Sequence, residues 1–247
     1  MTQELAPPVD VPADIDDRLR TRGYAVLDAD GLLSLLQLDA AVLGSLAGYW
    51  SRLPADHFLK DGGSYRRRRH ASFIIDDDGR IEPVAHRAHW QPLDYNALHG
   101  GMQRWFEPVE PGLVASAFWQ RLLPMLAERA TALRGAQRWF VETHVVRIDA
   151  TEGIGRPTPE GAHRDGVDLV AVMLVGRHDV RGGETRVFDA DGPRGLRFTM
   201  SKPGTTLLLD DHRMIHESTP IQPNGAQPWR DTLVVTLRAG GFQQEVE

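Results

Sequence analysis

The chain has 247 residues, 41% of them hydrophobic and 25% charged, with a formal net charge of −6, the profile of one globular domain with enough apolar residues for a substantial core. The acidic balance argues against a nucleic-acid or anionic-membrane surface, which needs positive charge to release counterions or meet headgroups, and leaves a small-molecule partner. Cysteine is absent, so disulfides, zinc knuckles, iron–sulfur clusters and thiol nucleophiles are excluded together, and any metal must use His, Asp or Glu.

Residues 1–12 carry prolines and no apolar pattern, and read as a loose tail before a single domain over residues 13–247. No run approaches the ~18 apolar residues of a membrane span, and the N-terminus lacks the basic-then-apolar plan of a signal peptide, so a cytoplasmic location is the expectation. Asp14 to Arg22 reads as a short helix, Tyr24 to Leu27 as a strand, and Leu32 to Leu46 as one leucine-rich helix ended near Gly48. The run Arg66 to Arg69 is the most conspicuous charge cluster. Strand alternation splits it between two faces, one solvated and the other bringing Arg66 or Arg68, with Tyr65, toward a pocket where a substrate carboxylate could sit.

A second helix is expected from about Leu113 to Arg134, with Phe118, Leu122, Met125, Leu126 and Leu133 on its buried stripe, Pro124 as a kink or break and Gly135 as the stop. From Trp139 onward the pattern changes to short β-type runs: WFVETHVVRI, VDLVAVMLV, ETRVFDA, LRFTM, TTLLLD, RMIHESTPI and DTLVVTLR, separated by Gly, Pro, Asn and Asp clusters. Strands at this spacing make a sandwich or barrel, and the turn punctuation fits a jelly-roll. Within the first of them Glu142 and His144 share a face, available either to a buried ion pair or to a substrate.

His163 and Asp165 are separated by one residue, so in an extended segment both project to one side and can share an ion. A third ligand must come from elsewhere, and His216 sits on a β-type run about fifty residues on. Two histidines and one carboxylate on one side of a metal leave positions open, which suits non-haem Fe(II). Arg230 follows fourteen residues after His216, with Thr232 on the same strand face. A guanidinium fork with a hydroxyl beside it is what a dicarboxylate needs.

The order HRDGVD, RGGET, SKPGTTLLLDDHRMIHESTPI and WRDTLVVTLR, with WFVETHVVRI, PTPEGAHRDG and SYRRRRHASF upstream, resembles the bacterial 2-oxoglutarate–Fe(II) dioxygenase family that contains free amino-acid hydroxylases such as isoleucine 4-hydroxylase, and biofilm-associated homologues. The resemblance covers roughly Tyr65 to Arg238. It implies a mainly β fold with flanking helices, a double-stranded β-helix of the jelly-roll, cupin-like kind. It also implies Fe(II) on His163, Asp165 and His216, with Arg230 gripping the distal carboxylate of 2-oxoglutarate. His212 competes with His216 but falls in the turn before the strand. The expected reaction uses O2 to hydroxylate a small molecule, a free amino acid or related metabolite; hydroxylation is favoured over halogenation because Asp165 is present. The alternative is a cupin-like barrel that binds metal and ligand without turnover.

Overall fold

The computed structural model describes residues 4–244. A turn at Pro12–Asp14 leads into α1 (Ile15–Arg22), closed by Gly23 at φ 83° with its N–H on the Leu19 carbonyl; a left-handed cap of this kind favours glycine. Strand β1 (Tyr24–Leu27) follows. Within the stretch expected to be loose, whose residues 1–3 lie outside the described residues, Asp10 is tied to that strand. Asp10 donates its N–H to the Val26 carbonyl at 2.7 Å, its carboxylate accepts the Val26 N–H at 3.1 Å, and the same carboxylate pairs with Arg18 and Arg22.

The leucine-rich stretch is two helices, not one: α2 (Ala29–Leu36) and α3 (Ala41–Trp50), their axes bent by 101°. Asp28 caps α2 on the Gly31 N–H at 2.8 Å, and Gln37 ends it in the left-handed region at φ 52°. The bend lets Leu32 and Leu36 of one helix and Leu46 and Trp50 of the other enter the same core. Among the described residues no single helix is long and apolar enough to cross a membrane.

The remaining elements are β2 (Arg66–Ile75), β3 (Ile81–Pro83), α4 (Pro111–Val114), α5 (Ala117–Arg134), β4 (Trp139–Asp149), β5 (Leu169–His178), β6 (Val180–Gly182), β7 (Glu184–Asp189), β8 (Gly195–Thr199), β9 (Thr206–Asp210), β10 (Met214–Ser218), β11 (Ile221–Pro223) and β12 (Trp229–Arg238). The helix expected from Leu113 starts later, where Ser116 Oγ accepts the Trp119 N–H at 3.3 Å. Pro124 lies inside α5 without ending it. Its missing N–H leaves one carbonyl of the preceding turn without a helical partner, while Phe118, Trp119, Leu122 and Leu126 bury the face that holds the helix in place.

A seven-stranded antiparallel sheet, ordered β1-β9-β5-β12-β4-β2-β3, faces a three-stranded sheet β10-β7-β8, with a two-stranded pair β11-β6 beside them. This is a double-stranded β-helix with helices on the outer face of the larger sheet. Strand alternation divides that sheet cleanly. Val141, Val145, Leu233, Val235 and Leu237 pack on the helices. Glu142, His144, Val146 and Ile148 of β4, with Arg230, Thr232, Val234 and Thr236 of β12, line the cavity between the sheets. Cross-strand rows fix their places: Arg66, Ile148 and Arg230 share one, and Arg68, Val146 and Thr232 the next. Between β12 and β5 the register slips by one, because Asp231 faces Gly176 while Thr232 faces Leu174, leaving Val175 as a bulge.

Candidate metal and cosubstrate site

Two histidines from distant parts of the chain are locked together by their backbones. His163 donates its N–H to the His216 carbonyl at 3.1 Å and accepts the His216 N–H at 2.9 Å. This single bridge joins the loop after β4 to β10. Asp165, one residue beyond the bridge partner's neighbour, turns its carboxylate between the two rings. Its Oδ1 lies 3.7 Å from His163 Nε2 and its Oδ2 3.8 Å from His216 Nε2. The three donor atoms lie within 4.8 Å of one another, the span of one ion with bonds of ~2 Å.

The donor set has the chemistry of a transition-metal site. His163 Nδ1–H donates to the Gly161 carbonyl at 2.9 Å, which leaves Nε2 facing Asp165, protonated while the ring is charged and a ligand nitrogen once that proton is displaced. Burial opposes a charge on His163, but Asp165, Glu160 and the Gly161 carbonyl outweigh it and push its pKa up to about 10. Burial also works against the Asp165 carboxylate, yet the two imidazoles hold it well below the usual carboxylate range. His216 is pushed down to about 4 by burial and by His163. The cluster therefore holds one imidazolium against a carboxylate and a second, neutral imidazole, and a divalent cation can take the place of that proton.

Arg230 opens into the same cleft, which His163, Asp165, His216 and Thr232 also line. Arg230 is 2% exposed, and its Nε and Nη2 have no hydrogen-bond partner among the described residues. Burial, with Arg177 nearby, lowers its pKa to about 10. A buried cation with two free donors calls for an anion. Thr232 is buried on the same face.

The other expected contacts divide. Arg68 lines the cleft and gives Nη2–H to His144 Nδ1 at 2.6 Å. Arg66 also lines it, but its Nε is taken by Asp56 at 2.6 Å. Glu142 is already engaged by Arg87 at 2.9 Å, His70 at 3.1 Å and His89 at 3.3 Å. Tyr65 donates to Asp61 at 2.5 Å and is not among the lining residues. His212 stands outside the cluster, its side chain 60% exposed and 3.3 Å from Asp168.

Several lining groups gave no signal in the sequence. Gln91 donates to Asp165 Oδ1 at 3.2 Å and accepts from Arg104 at 2.9 Å. Both come from the irregular stretch between β3 and α4, which has no periodicity to place it. Asp211, just after β9, does not itself line the cleft but holds the Asp165 turn, and Glu160, which does line it, could have been suspected from lying three residues before His163.

A cleft of this construction suits an oxygenase that draws on Fe(II) and 2-oxoglutarate. The chain belongs to the 2OG-Fe dioxygenase family, whose profile matches residues 47–236. It is a non-haem iron oxygenase with Fe(II) and 2-oxoglutarate as cofactors, and its class implies O2 and a small molecule as reactants. It is similar to a BsmA homologue from Methylobium petroleophilum PM1, with 51% identity over 98% of each chain and a TM-score of 0.92. The fold is shared with IDO from Bacillus thuringiensis, at 17% identity over 94% of this chain and 100% of that one, TM-score 0.76. An oxidoreductase of the 2OG-Fe(II) oxygenase family from Burkholderia pseudomallei also shares it, at 18% identity over 100% of both chains, TM-score 0.59. No curated protein matches the chain.

Proposed function

We propose that the chain hydroxylates a small carboxylate-bearing molecule, a free amino acid or a related metabolite, with Fe(II) on His163, Asp165 and His216 and 2-oxoglutarate on Arg230 and Thr232. The observation that carries this reading is the meeting, in one cleft, of a two-histidine, one-carboxylate donor set with a buried guanidinium that has two free donors. Imidazole nitrogens and a carboxylate suit Fe(II) and leave positions open on the cleft side. Arg230 offers a planar fork to the distal carboxylate, and the Thr232 hydroxyl adds one further donor.

Bound iron, with 2-oxoglutarate and O2, supplies the oxidising power to exchange a C–H hydrogen for hydroxyl, with succinate and CO2 as the other products. The protein's own residues position and protect. The His163–His216 bridge fixes the two imidazoles, and Asp165 would serve as a carboxylate ligand where a halide would otherwise be needed, which favours hydroxylation over halogenation. Val146, Val172 and Val234 line the cleft with apolar surface that water does not wet well. Arg68 is the substrate contact this reading favours, with Arg66 behind it, while Tyr65 and Glu142 act through the residues they hold.

The test is to incubate the iron-loaded protein with 2-oxoglutarate, 18O2 and a library of amino acids and related acids. The expected result is one labelled oxygen in a product formed in step with succinate. Succinate release uncoupled from every acid offered would remove the substrate half of the reading.

A further inference from the structure

Gln91 links a buried cation to the carboxylate of the metal cluster. Its Nε2 donates to Asp165 Oδ1 at 3.2 Å, and its Oε1 accepts from Arg104 Nη2 at 2.9 Å and from Asn96 Nδ2 at 3.2 Å. A guanidinium only donates and an ionised carboxylate only accepts, so the amide is locked with its oxygen toward Arg104 and its NH2 toward Asp165. Gln91, Asn96 and Arg104 are all buried, where such bonds are hard for water to replace. Their backbone is fixed as well: Gly101 donates its N–H to the Gln91 carbonyl at 2.9 Å, and Arg104 is bridged both ways to His89 at 3.0 Å.

The bond to Oδ1 is not what holds Asp165 in place. The Asp165 N–H goes to Asp211, and its carbonyl accepts from Gln243 Nε2 at 3.0 Å, so the backbone is fixed from both sides without Gln91. What remains is rotation of the carboxylate about its last bond, a soft torsion. Among the described residues only Gln91 hydrogen-bonds this carboxylate; His163 and His216 stand off at 3.7 and 3.8 Å. The two oxygens are therefore unequal. The hydrogen bond weakens Oδ1 as a ligand and leaves Oδ2, the oxygen nearer His216, as the stronger donor to an ion.

We propose that Gln91 is a positioning residue that keeps Asp165 a one-oxygen ligand, and that Arg104 acts through it by anchoring the amide. This rests on the reading of the cleft as an Fe(II) site that also takes 2-oxoglutarate. Three protein donors on one side of an octahedral ion leave three positions, and a 2-oxo acid chelating through two atoms leaves one for O2. A carboxylate bound through both oxygens would fill that last position. The amide also keeps Arg104 one side chain away from Asp165, so the ligand is not neutralised by a direct ion pair.

The experiment compares the parent protein with Gln91→Met, which keeps the length of the side chain and removes its donor. Fe(II) is titrated anaerobically, the visible band of the Fe(II)–2-oxoglutarate complex is recorded, and nitric oxide is then added as the probe of the last position, read by the EPR signal of its iron adduct. In Gln91→Met iron should bind as tightly as in the parent or more tightly, because the freed oxygen can join it, and the band should form. Its affinity for nitric oxide should fall by ~10-fold or more, the low end of what a group orienting a ligand contributes. Arg104→Met should give a smaller loss of the same kind, since Asn96 still holds the amide, and Arg104→Lys should restore nitric oxide binding, because an ammonium can donate to Oε1. Parental nitric oxide affinity in Gln91→Met would overturn the proposal. So would a loss of iron affinity in step with that of nitric oxide, which would make the amide a support for the fold of the site. Should Gln91→Met not fold, the Arg104 pair decides: equal nitric oxide affinity in the methionine and lysine variants overturns the role. Absence of iron binding or of the band in the parent protein would instead overturn the reading of the cleft beneath it.

Discussion

The Asp211 carboxylate accepts the Asp165 backbone N–H at 3.0 Å, and takes those of Gly166 and Val167 at 2.7 and 3.0 Å. Three donors in succession on one buried carboxylate fix the turn that aims the Asp165 side chain. Gly166 makes the turn possible at φ 75°, where a Cβ would also strike the Tyr95 ring at 2.5 Å. Asp211→Ala should therefore lower metal affinity by ~10–100-fold, the range for removing a group that orients a ligand. Titration of Fe(II) or Co(II) into the folded variant measures it, and unchanged affinity would count against the assignment.

His163→Ala, Asp165→Ala and His216→Ala should each abolish the weak visible band that a 2-oxo acid gives on chelating ferrous iron anaerobically, since one lost ligand of three leaves the chelate poorly held. His212→Ala should keep it, because that side chain is exposed and faces Asp168. The reverse pattern would reassign the third ligand.

Arg230→Ala should raise the 2-oxoglutarate concentration needed for half-saturation by ~30-fold or more, corresponding to ~2–5 kcal/mol for truncating one member of a buried charged pair, with little change in iron affinity. Arg230→Lys should recover only part, since an ammonium cannot reproduce the two-pronged grip. An alanine variant with ordinary 2-oxoglutarate dependence would exclude this role.

His70, His89 and His144 are buried ring against ring, with centroids 4.8 Å apart for His70–His144 and 4.5 Å for His89–His144. Burial lowers all three, His89 to about 3 despite the raising effect of Glu142. The unfolded chain takes up these protons near pH ~6.5 and the folded one does not, so stability falls as the solution is acidified below that value and returns above it. Each group contributes roughly 1.4 kcal/mol per pH unit between its unfolded and folded values. His163 acts in the opposite sense: its contribution is complete below pH ~6.5 and is lost as pH rises through about 10. Tm should drop on going from about pH 7 to about pH 5, and His89→Gln should flatten that slope; a flat Tm in the parent protein would refute the account.

What could be read from the residues alone follows from where periodicity exists. The strands from Trp139 onward carry β-branched residues between turn signals, and β4, β5, β9 and β12 lie where that pattern places them. His163 and Asp165 are legible because a two-residue spacing forces a common side. The meeting of His163 with His216 is a long-range backbone bridge, and only the late β-type run hinted at it. The break at Gln37 was not legible, since glutamine carries no turn signature and the leucines on either side share one helical pattern. His89, Gln91 and Arg104 sit in a segment without repeat. What places them is contact with Glu142 and Asp165, groups distant in the chain.

The Val175 bulge decides the fate of a second guanidinium. Because β5 skips one residue there, Arg177 falls opposite Arg230 in the register, and the side-chain alternation restarts on the same side as Arg230. Were Val175 paired instead of bulged, parity would set Arg177 opposite Trp229 and send it to the helix-packed side of the sheet. The bulge thus works as a parity switch: it thickens positive charge beside Arg230 while leaving the ladder between β12 and β4 continuous. Drawing Val175 into the ladder would take the Arg177 charge away from the side that Arg230 occupies, whereas deleting Val175 would leave the two arginines facing each other.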